Sequence, residues 1–338
     1  MLLLERNFRI QWYSIAYRSK LCYNNIYETI RKAVLPLRTL TCIVPPERGG
    51  CALRAILRGE LHLSYTLLKS LKWRPGAILL NGAPARVDAT VRPGDEVTVT
   101  LSERRQPSGF VAPCDLPLDI VYADDDLLVI NKPAMVAMHP KSGEPETPSM
   151  AGALLAYLGE GTTAHFVSRL DKGTSGLFVA AKSGYIHDRL RRSLHSDALE
   201  REYRAVAVGR VEPSRGTIDL PIGRAAGSIV RRCVCEGGLP SRTDYEVLSG
   251  SEEFTYLRLL PHTGRTHQLR VHMSALGYPL AGDWLYGTEA PELIPRPALH
   301  SYQLRLTQPV TGKELCFTAP LPEDMRRLLH RAGSANCR

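Results

Sequence analysis

Short apolar runs separated by turn residues are the sequence feature that most restricts the fold of this chain. Beyond residue 117, these runs cover 176–181, 203–209, 243–248, 256–260, 299–306 and 314–318. Gly-containing segments at 209–216 and 310–313 are typical of hairpins that join neighbouring strands. Fewer segments of this region show apolar residues at the spacing that is typical of helices than show strand-like runs. We therefore predict an α+β fold, in which a mixed, mainly antiparallel central sheet is flanked by helices.

Changes in composition along the chain indicate how it divides into domains. The 338 residues are enough for about two domains. Residues 1–45 are basic and aromatic but lack a sustained period, which indicates an N-terminal extension of unknown order. Residues 46–101 form a compact pattern of their own, the Pro- and Gly-containing stretch 102–116 is typical of a linker, and residues 117–330 make the larger domain.

The segment 46–101 predicts a small α/β module. Apolar residues at helical spacing predict a helix that begins at Leu53, and Ser64 is a suitable N-cap for a second helix. The pair Asn81-Gly82 between apolar runs predicts a hairpin. The basic residues that we expect on the exposed face of the second helix and just beyond it are Lys69, Lys72 and Arg74.

The positive charge of the chain is concentrated near its beginning. The formal net charge is +9, and residues 1–110 hold 17 Lys and Arg against 8 Asp and Glu, whereas the two signs balance in residues 111–338. A basic module attached to a neutral domain is typical of proteins that bind a polyanion through its phosphates. The alternative is that the charge only keeps the protein soluble, and charge alone does not decide between the two.

Several other classes of protein lack their usual signals in this chain. There is no run of about 18 apolar residues for a membrane span and no Gly-rich nucleotide-binding loop. The cysteines are scattered, without paired zinc spacing, which indicates reduced thiols in the cytoplasm. His262, His267 and His272 recur every five residues, so that they point to different faces of a helix or strand. These residues therefore predict neither a metal site nor a dinucleotide cofactor.

Two segments carry residues suited to catalysis. Asp171 lies on a Gly-flanked turn between apolar segments, and its cationic neighbours Arg169 and Lys172 favour the ionised carboxylate. The alternative is an Asp that only hydrogen-bonds its own turn. The second segment predicts a helix capped by Thr263 or Thr266 and ended by Gly277. Cations near a helix start are unfavourable, so we expect a carboxylate or an RNA phosphate beside Arg265, His267 and Arg270.

Three ordered motifs resemble the RluA/RluD-type family of pseudouridine synthases. They are SRLDKGTSGL at 168–177, EREYRAVAVG at 200–209 and PHTGRTHQLRVHMSALGYPLAGDWLYG at 261–287. The resemblance extends over about residues 46–325, and Lys132-Pro133 is similar to the structural first motif of the family. The segment 46–101 resembles the small RNA-binding domain named after ribosomal protein S-four. The resemblance implies a pseudouridine synthase fold and a cofactor-free isomerisation of uridine to pseudouridine in structured RNA.

The resemblance also implies roles for individual residues. Asp171 matches the essential aspartate, Arg270 the basic residue paired with it, and Tyr203 the aromatic residue that packs on the uracil and helps to remove the proton from carbon five. Leu269 matches an apolar wall of the base pocket, and Arg169 an arginine that contacts RNA near the vacated base position. For the small module, the resemblance implies that Lys69, Lys72 and Arg74 bind RNA.

The chemistry requires a carboxylate beside the sugar of a uridine that has left its stack. The carboxylate can attack ribose carbon one, add to carbon six of the base or promote loss of a ribose proton, and the sequence leaves all three routes open. We expect a monomer that acts on ribosomal RNA of the large subunit or on transfer RNA. The alternatives are a catalytically inactive RNA-binding or ribosome-assembly factor of the same fold and a glycosidase-like hydrolase, which needs a second carboxylate.

Overall fold

The structure is a computed structural model that describes residues 38–101, 111–159, 162–163, 165–194 and 198–331. Its helices are α1 (Leu53–Gly59), α2 (Tyr65–Leu71), α3 (Met150–Leu158), α4 (Gly184–Ser193), α5 (Gln268–Ala275) and α6 (Glu323–Arg331). Its strands are β1 (Arg38–Ile43), β2 (Ile78–Leu80), β3 (Ala83–Pro84), β4 (Glu96–Leu101), β5 (Asp119–Ala123), β6 (Leu127–Lys132), β7 (His165–Phe166), β8 (Ser175–Ala181), β9 (Leu199–Val208), β10 (Arg215–Asp219), β11 (Ile222–Arg224), β12 (Arg232–Val234), β13 (Arg242–Gly250), β14 (Phe254–Pro261), β15 (Leu299–Thr307) and β16 (Glu314–Thr318).

Ten of these strands form the main sheet. Their order is β10-β13-β14-β9-β15-β8-β6-β5, with β16 paired to β15 and β7 paired to β8. Among the described pairings of this sheet, only β15 with β8 is parallel. The predicted mixed, mainly antiparallel sheet is therefore confirmed.

The two predicted hairpins have different outcomes. The turn at 310–313 joins β15 to β16, which pair antiparallel as predicted. The prediction for 209–216 is wrong, because β9 and β10 are separated in the sheet by β13 and β14. Turn residues alone do not reveal this, since a Gly-rich segment can lead the chain across a sheet edge as readily as into the adjacent strand.

Helices pack on both faces of the main sheet. One apolar core contains side chains of α3 and α5 together with those of β6, β8, β9 and β14 that point to the same face. A second core, on the other face, contains Ile186 and Leu190 of α4. Helix α6 covers a third cluster, around Val206. The flanking helices of the predicted α+β fold are therefore present.

Residues 38–101 form a smaller unit of two helices and a four-stranded sheet, in the order β1-β4-β2-β3. Leu53 is buried as predicted, and Ser64 Oγ accepts the backbone N–H of Leu67 at 3.2 Å, as expected of an N-cap. Asn81 and Gly82 both have positive φ, as a tight hairpin turn requires. The apolar core of this unit is continuous with the second core of the main sheet.

The ends of this unit differ in part from the expected domain limits. Strand β1 lies within the predicted extension 1–45 and pairs antiparallel with β4. In the predicted linker 102–116, the side chains of Val111, Cys114 and Leu116 pack against the first core. Residues 1–37 and 102–110 lie outside the described residues.

Candidate active site

The loop that carries Asp171 connects β7 to β8 and is held by two buried basic side chains. Lys132 Nζ donates to the carbonyl of Lys172 at 3.2 Å, and Arg296 Nη1 donates to the carbonyl of Gly173 at 3.2 Å. Only 1% of Lys132 and of Arg296 is exposed. The backbone on the C-terminal side of Asp171 is therefore fixed by hydrogen bonds from two buried basic side chains rather than by packing alone.

Each of these two side chains has further partners that anchor it. Lys132 also donates to the carbonyls of Pro133 and Val136, both at 2.8 Å. Burial, together with repulsion by Arg296, lowers the pKa of Lys132 to about 7, against the attraction of Asp171. Arg296 forms a bidentate ion pair with Asp324 at 2.6 and 2.8 Å. This pair connects the Asp171 loop to helix α6.

The carboxylate of Asp171 remains accessible and faces two basic side chains. Oδ2 lies 3.5 Å from Nη1 of Arg270, and Oδ1 lies 3.9 Å from Nε2 of His267. About a quarter of the Asp171 side chain, 24%, is exposed. The Asp171 carboxylate is thus one anionic group that lies beside both Arg270 and His267.

Arg270 is bound more tightly to a residue that sequence reasoning missed. Its Nε and Nη2 each donate to a carboxylate oxygen of Asp283 at 2.7 Å, in a bidentate pair that is buried on both sides. Burial would lower the pKa of Arg270, but Asp283 and Asp171 raise it overall. Asp283 lies within the third motif, yet nothing in its spacing singles it out as the partner of Arg270.

The helix that carries Arg270 starts differently from the prediction. Helix α5 is preceded by His267 in the left-handed conformation, with φ of 58°, and not by a capping Thr263 or Thr266. The side chain of Gln268 closes this turn instead, because its Oε1 accepts from Thr263 Oγ1 at 2.7 Å and from the Arg265 N–H at 3.0 Å. The end is as predicted, since Gly277 follows the helix with positive φ.

A cavity of about 790 Å³ opens beside Asp171. Tyr203, Leu269, Arg169 and Arg270 line it, so the residues predicted for the larger domain come together around one space. The arginines along its wall are Arg169, Arg191, Arg201, Arg265 and Arg270. Asp171 is the single carboxylate among the described residues that line it. Such a cavity attracts an anionic ligand while it presents one carboxylate to that ligand.

Tyr203 lies in β9 with its ring buried. Burial raises the pKa of Tyr203, and the negative charge of Asp171 acts in the same direction, whereas Arg201 and the hydroxyl of Ser301 oppose it. The phenol is therefore neutral at physiological pH. In this form it offers an aromatic surface and a hydroxyl but no negative charge.

The basic residues predicted for the small unit lie away from this cavity. Lys69 and Lys72 are exposed on and just after α2, and Arg74 is half-buried. Lys72 Nζ lies 4.9 Å from the centre of the Trp73 ring, which is 77% exposed. The small unit therefore presents a surface that is both basic and aromatic.

Among the residues that the structure describes, no three or more His, Cys, Asp or Glu side chains form a cluster arranged to hold a metal ion. In the same part of the chain, no helix has the length and apolar character of a membrane span.

Comparison with known proteins places the chain in a family. Residues 126–275 match the family described as RNA pseudouridylate synthase. An uncharacterized RNA pseudouridine synthase of Bacillus subtilis, YjbO, is 39% identical over 273 residues, which is 80% of this chain and 96% of the relative. The chain belongs to the RNA pseudouridine synthase family. Its reaction class is accordingly the isomerisation of uridine in RNA.

Further relatives agree with this family. Ribosomal large subunit pseudouridine synthase D of Vibrio vulnificus is 39% identical over 288 residues, 80% of this chain and 87% of the relative. Among solved structures, human RNA pseudouridylate synthase domain containing 1 matches with a TM-score of 0.51 and 30% identity, over 62% of this chain and 86% of the human one. The pseudouridine synthase fold that the motifs imply is therefore confirmed.

Proposed function

We propose that this synthase converts specific uridines of structured RNA, above all large-subunit ribosomal RNA, into pseudouridine, and that Asp171 is its reactive carboxylate. The observation that carries the proposal is the accessible carboxylate of Asp171 in an otherwise cationic cavity, beside Arg270 and Tyr203. The choice of ribosomal RNA rests on relatives that are named for the large ribosomal subunit.

Binding requires that the target uridine leave its stack and enter the cavity. Extrusion costs a few kcal/mol and is easiest at a loop or bulge. Arg169 lies two residues before Asp171 on the same loop, so its guanidinium can occupy the space that the base leaves. The other arginines of the wall can neutralise the phosphates on either side of the extruded nucleotide.

The reaction breaks the bond between ribose carbon one and N1, forms a bond from carbon one to carbon five and transfers a proton from carbon five to N1. Asp171 starts the sequence by attack on the sugar, by addition to carbon six or by promoting loss of a ribose proton, and all three need the ionised carboxylate. The guanidinium of Arg270 lies 3.5 Å from this carboxylate. Because Arg270 lies closer to Asp283 than to Asp171, it neutralises Asp171 only in part and leaves it nucleophilic.

Tyr203 retains the detached uracil during this sequence. A buried aromatic ring beside the carboxylate can stack on the base and prevent its escape. Its raised pKa favours the neutral phenol, which can donate a hydrogen bond but is a weak base. We therefore assign removal of the carbon-five proton to the Asp171 carboxylate once the new bond has formed and any bond between Asp171 and the RNA has broken, with Tyr203 as a hydrogen-bonding partner.

The small unit is proposed to be the S-four-like RNA-binding domain. Lys69, Lys72 and Arg74 would contact phosphates, and the exposed ring of Trp73 would stack on an unpaired base. Such contacts do not depend on the RNA sequence, so they would increase the affinity for RNA without selecting the uridine that is modified.

The test is to map pseudouridines in total RNA from cells with and without the gene. We expect specific positions of large-subunit ribosomal RNA to lose pseudouridine and to regain it with the unmodified protein but not with Asp171→Asn. Restoration by both proteins would contradict the role of Asp171. An unchanged pseudouridine pattern in every RNA would favour the catalytically inactive assembly factor.

A further inference from the structure

His267 occupies a special place beside Asp171. Its Nε2 faces Oδ1 of Asp171 at 3.9 Å, on the opposite carboxylate oxygen from Arg270. Its Nδ1 lies 2.8 Å from the hydroxyl of Tyr286. The imidazole therefore bridges the carboxylate and a buried tyrosine.

The contacts of Tyr286 favour one of the two neutral tautomers of His267. Its hydroxyl oxygen already accepts the backbone N–H of Arg232 at 2.9 Å. The hydroxyl hydrogen is then free to be donated to Nδ1, which leaves the ring proton on Nε2, facing the carboxylate. The other tautomer would aim the Nε2 lone pair at Oδ1, and the two would repel each other. Burial also lowers the pKa of His267, against the attraction of Asp171, which favours a neutral ring.

The turn 283–286 fixes both partners of Asp171. Asp283 holds Arg270 through two hydrogen bonds, and its Oδ1 accepts the backbone N–H of Tyr286 at 3.2 Å. Tyr286 in turn holds His267. The guanidinium and the imidazole that face the carboxylate are thus positioned from one short segment.

We propose that His267 is a positioning residue for the Asp171 carboxylate, to which its neutral imidazole donates the Nε2–H when RNA closes the cavity. Arg270 and His267 then hold one carboxylate oxygen each, so that the carboxylate cannot rotate away from the sugar. This inference rests on the proposed function of Asp171. It adds a residue that acts through Asp171 and not on the RNA itself.

Two substitutions separate this role from a merely structural one. In His267→Gln the amide nitrogen reaches the place of Nε2, whereas in His267→Asn it reaches only the place of Nδ1. Asn tolerates the left-handed backbone of residue 267 better than Gln does. A structural role therefore predicts that Asn is the better replacement, and a donor to Asp171 predicts that Gln is. The same pair of substitutions at the exposed His262 is the matched control.

The assay is single-turnover release of tritium from large-subunit ribosomal RNA transcribed with uridine labelled at carbon five, together with the Kd for that RNA. We expect His267→Gln to stay within about fivefold of the unmodified protein and His267→Asn to be slower by about fiftyfold or more, with Kd changed less than about threefold in both. The melting temperatures should follow the opposite order. Equal rates, or a faster Asn variant, would overturn the inference while the unmodified protein stays active.

A measurement that needs no turnover tests the tautomer. The ring nitrogens of His267 can be observed by ¹⁵N NMR, and the resonances that disappear in His267→Gln identify them. A proton on Nε2 and none on Nδ1 is expected, and the reverse would overturn the inference. Failure of the unmodified protein to release tritium would instead contradict the proposed function.

Discussion

In the proposed mechanism, the reactivity of Asp171 depends on how Arg270 divides its contacts between Asp171 and Asp283. Arg270 donates two short hydrogen bonds to Asp283 and meets Asp171 only at 3.5 Å. A carboxylate in a full bidentate pair would be a poor nucleophile, because its lone pairs would be committed to the guanidinium. Because Asp283 takes up the two short hydrogen bonds of Arg270, the carboxylate of Asp171 remains available.

Asp171→Asn should abolish product formation, because the amide is neither nucleophilic nor basic. RNA binding should change by less than about threefold, since the arginines of the cavity supply the phosphate contacts. Tritium release and a binding titration on the same RNA measure the two effects. Asp244→Asn, which makes the same change at a carboxylate paired with His262, is the control and should keep full activity.

Tyr203→Phe should keep the aromatic surface and lose the hydroxyl. Loss of one hydrogen bond in the transition state, about 1.5 kcal/mol, should slow single-turnover release by about tenfold. The Kd should stay within about twofold, because stacking persists. A Phe variant as fast as the unmodified protein would exclude a role for the hydroxyl, and a large loss of affinity would contradict the assignment to chemistry.

Much of the site could be predicted from the sequence, because Asp171, Tyr203 and Arg270 lie in long motifs of fixed order. The residues that hold them could not. Arg296 reaches the carbonyl of Gly173 from 123 residues away, and a contact between a side chain and a distant backbone carbonyl leaves no pattern of residue types. Spacing likewise does not show that Asp283 is the partner of Arg270.

Among the strands, β8 directly follows the Asp171 loop and packs closely against β15. Gly176 has φ of +104°, and a Cβ at this position would overlap the backbone of Ser301. The overlap lies at the parallel pairing of β8 with β15, directly after the loop. A side chain here would push β8 away from its neighbour and displace Asp171.

Gly176→Ala should therefore lower stability by about 3 kcal/mol or more, the sum of backbone strain and overpacking, and should remove activity. Gly227→Ala is the matched control. Gly227 also has positive φ, +69°, but a Cβ there would have no neighbour within 4 Å, so only the strain of about 1 kcal/mol is expected. Urea unfolding of both variants measures the difference. Equal losses of stability would contradict the close seating of β8.

Apolar runs predicted most strands of the main sheet, and 314–318 coincides with β16. The order of the strands in the sheet could not be predicted from these runs, since pairings such as β14 with β9 join segments about 50 residues apart. Strand β1 was missed, because its alternation of half-buried and exposed residues produces no apolar run.

One buried histidine, His300, makes the free energy of unfolding of the whole protein depend on pH. The Nε2–H of His300 donates to the carbonyl of Ala319 at 3.3 Å, so that Nδ1 accepts the hydroxyl of Ser175 at 2.9 Å. Burial lowers the pKa of His300 to about 4, and Arg296 adds to the effect. In the unfolded chain, the histidine binds a proton near its ordinary pKa of about 6.5. In the folded protein, the same histidine stays neutral until the pH is much lower.

The contribution of His300 to stability is present above about pH 6.5 and lost as the pH falls towards 4. We expect the free energy of unfolding to drop by about 2 kcal/mol from this group between pH 7 and pH 5. His300→Gln should remove that part of the pH dependence, and His330→Gln, at an exposed position of α6, should keep it. Urea titrations at the two pH values provide the measurement, and parallel pH profiles for all three proteins would contradict it.

The charge of the small unit should control the salt dependence of RNA binding. The combined variant Lys69→Ala, Lys72→Ala and Arg74→Ala should weaken binding to all RNAs alike and reduce the slope of log K against log salt by about 1 for each phosphate that is no longer neutralised. A variant that removes the same charge elsewhere, at Lys313, Arg326 and Arg327, should leave the slope unchanged. Equal slopes for both variants would show that the small unit does not bind the phosphates.

The uninterrupted apolar core beneath the small unit and the main sheet has a consequence for substrate choice. Because a shared apolar core opposes a hinge motion between the two units, we expect α2 to keep a fixed position relative to Asp171. An RNA can contact α2 and Asp171 at the same time only when its folded structure holds a run of phosphates and a loop uridine at the same distance from each other. We therefore expect a short linear oligonucleotide with the same nucleotides around the uridine to be a poor substrate, because the proposed enzyme would recognise the three-dimensional shape of its RNA.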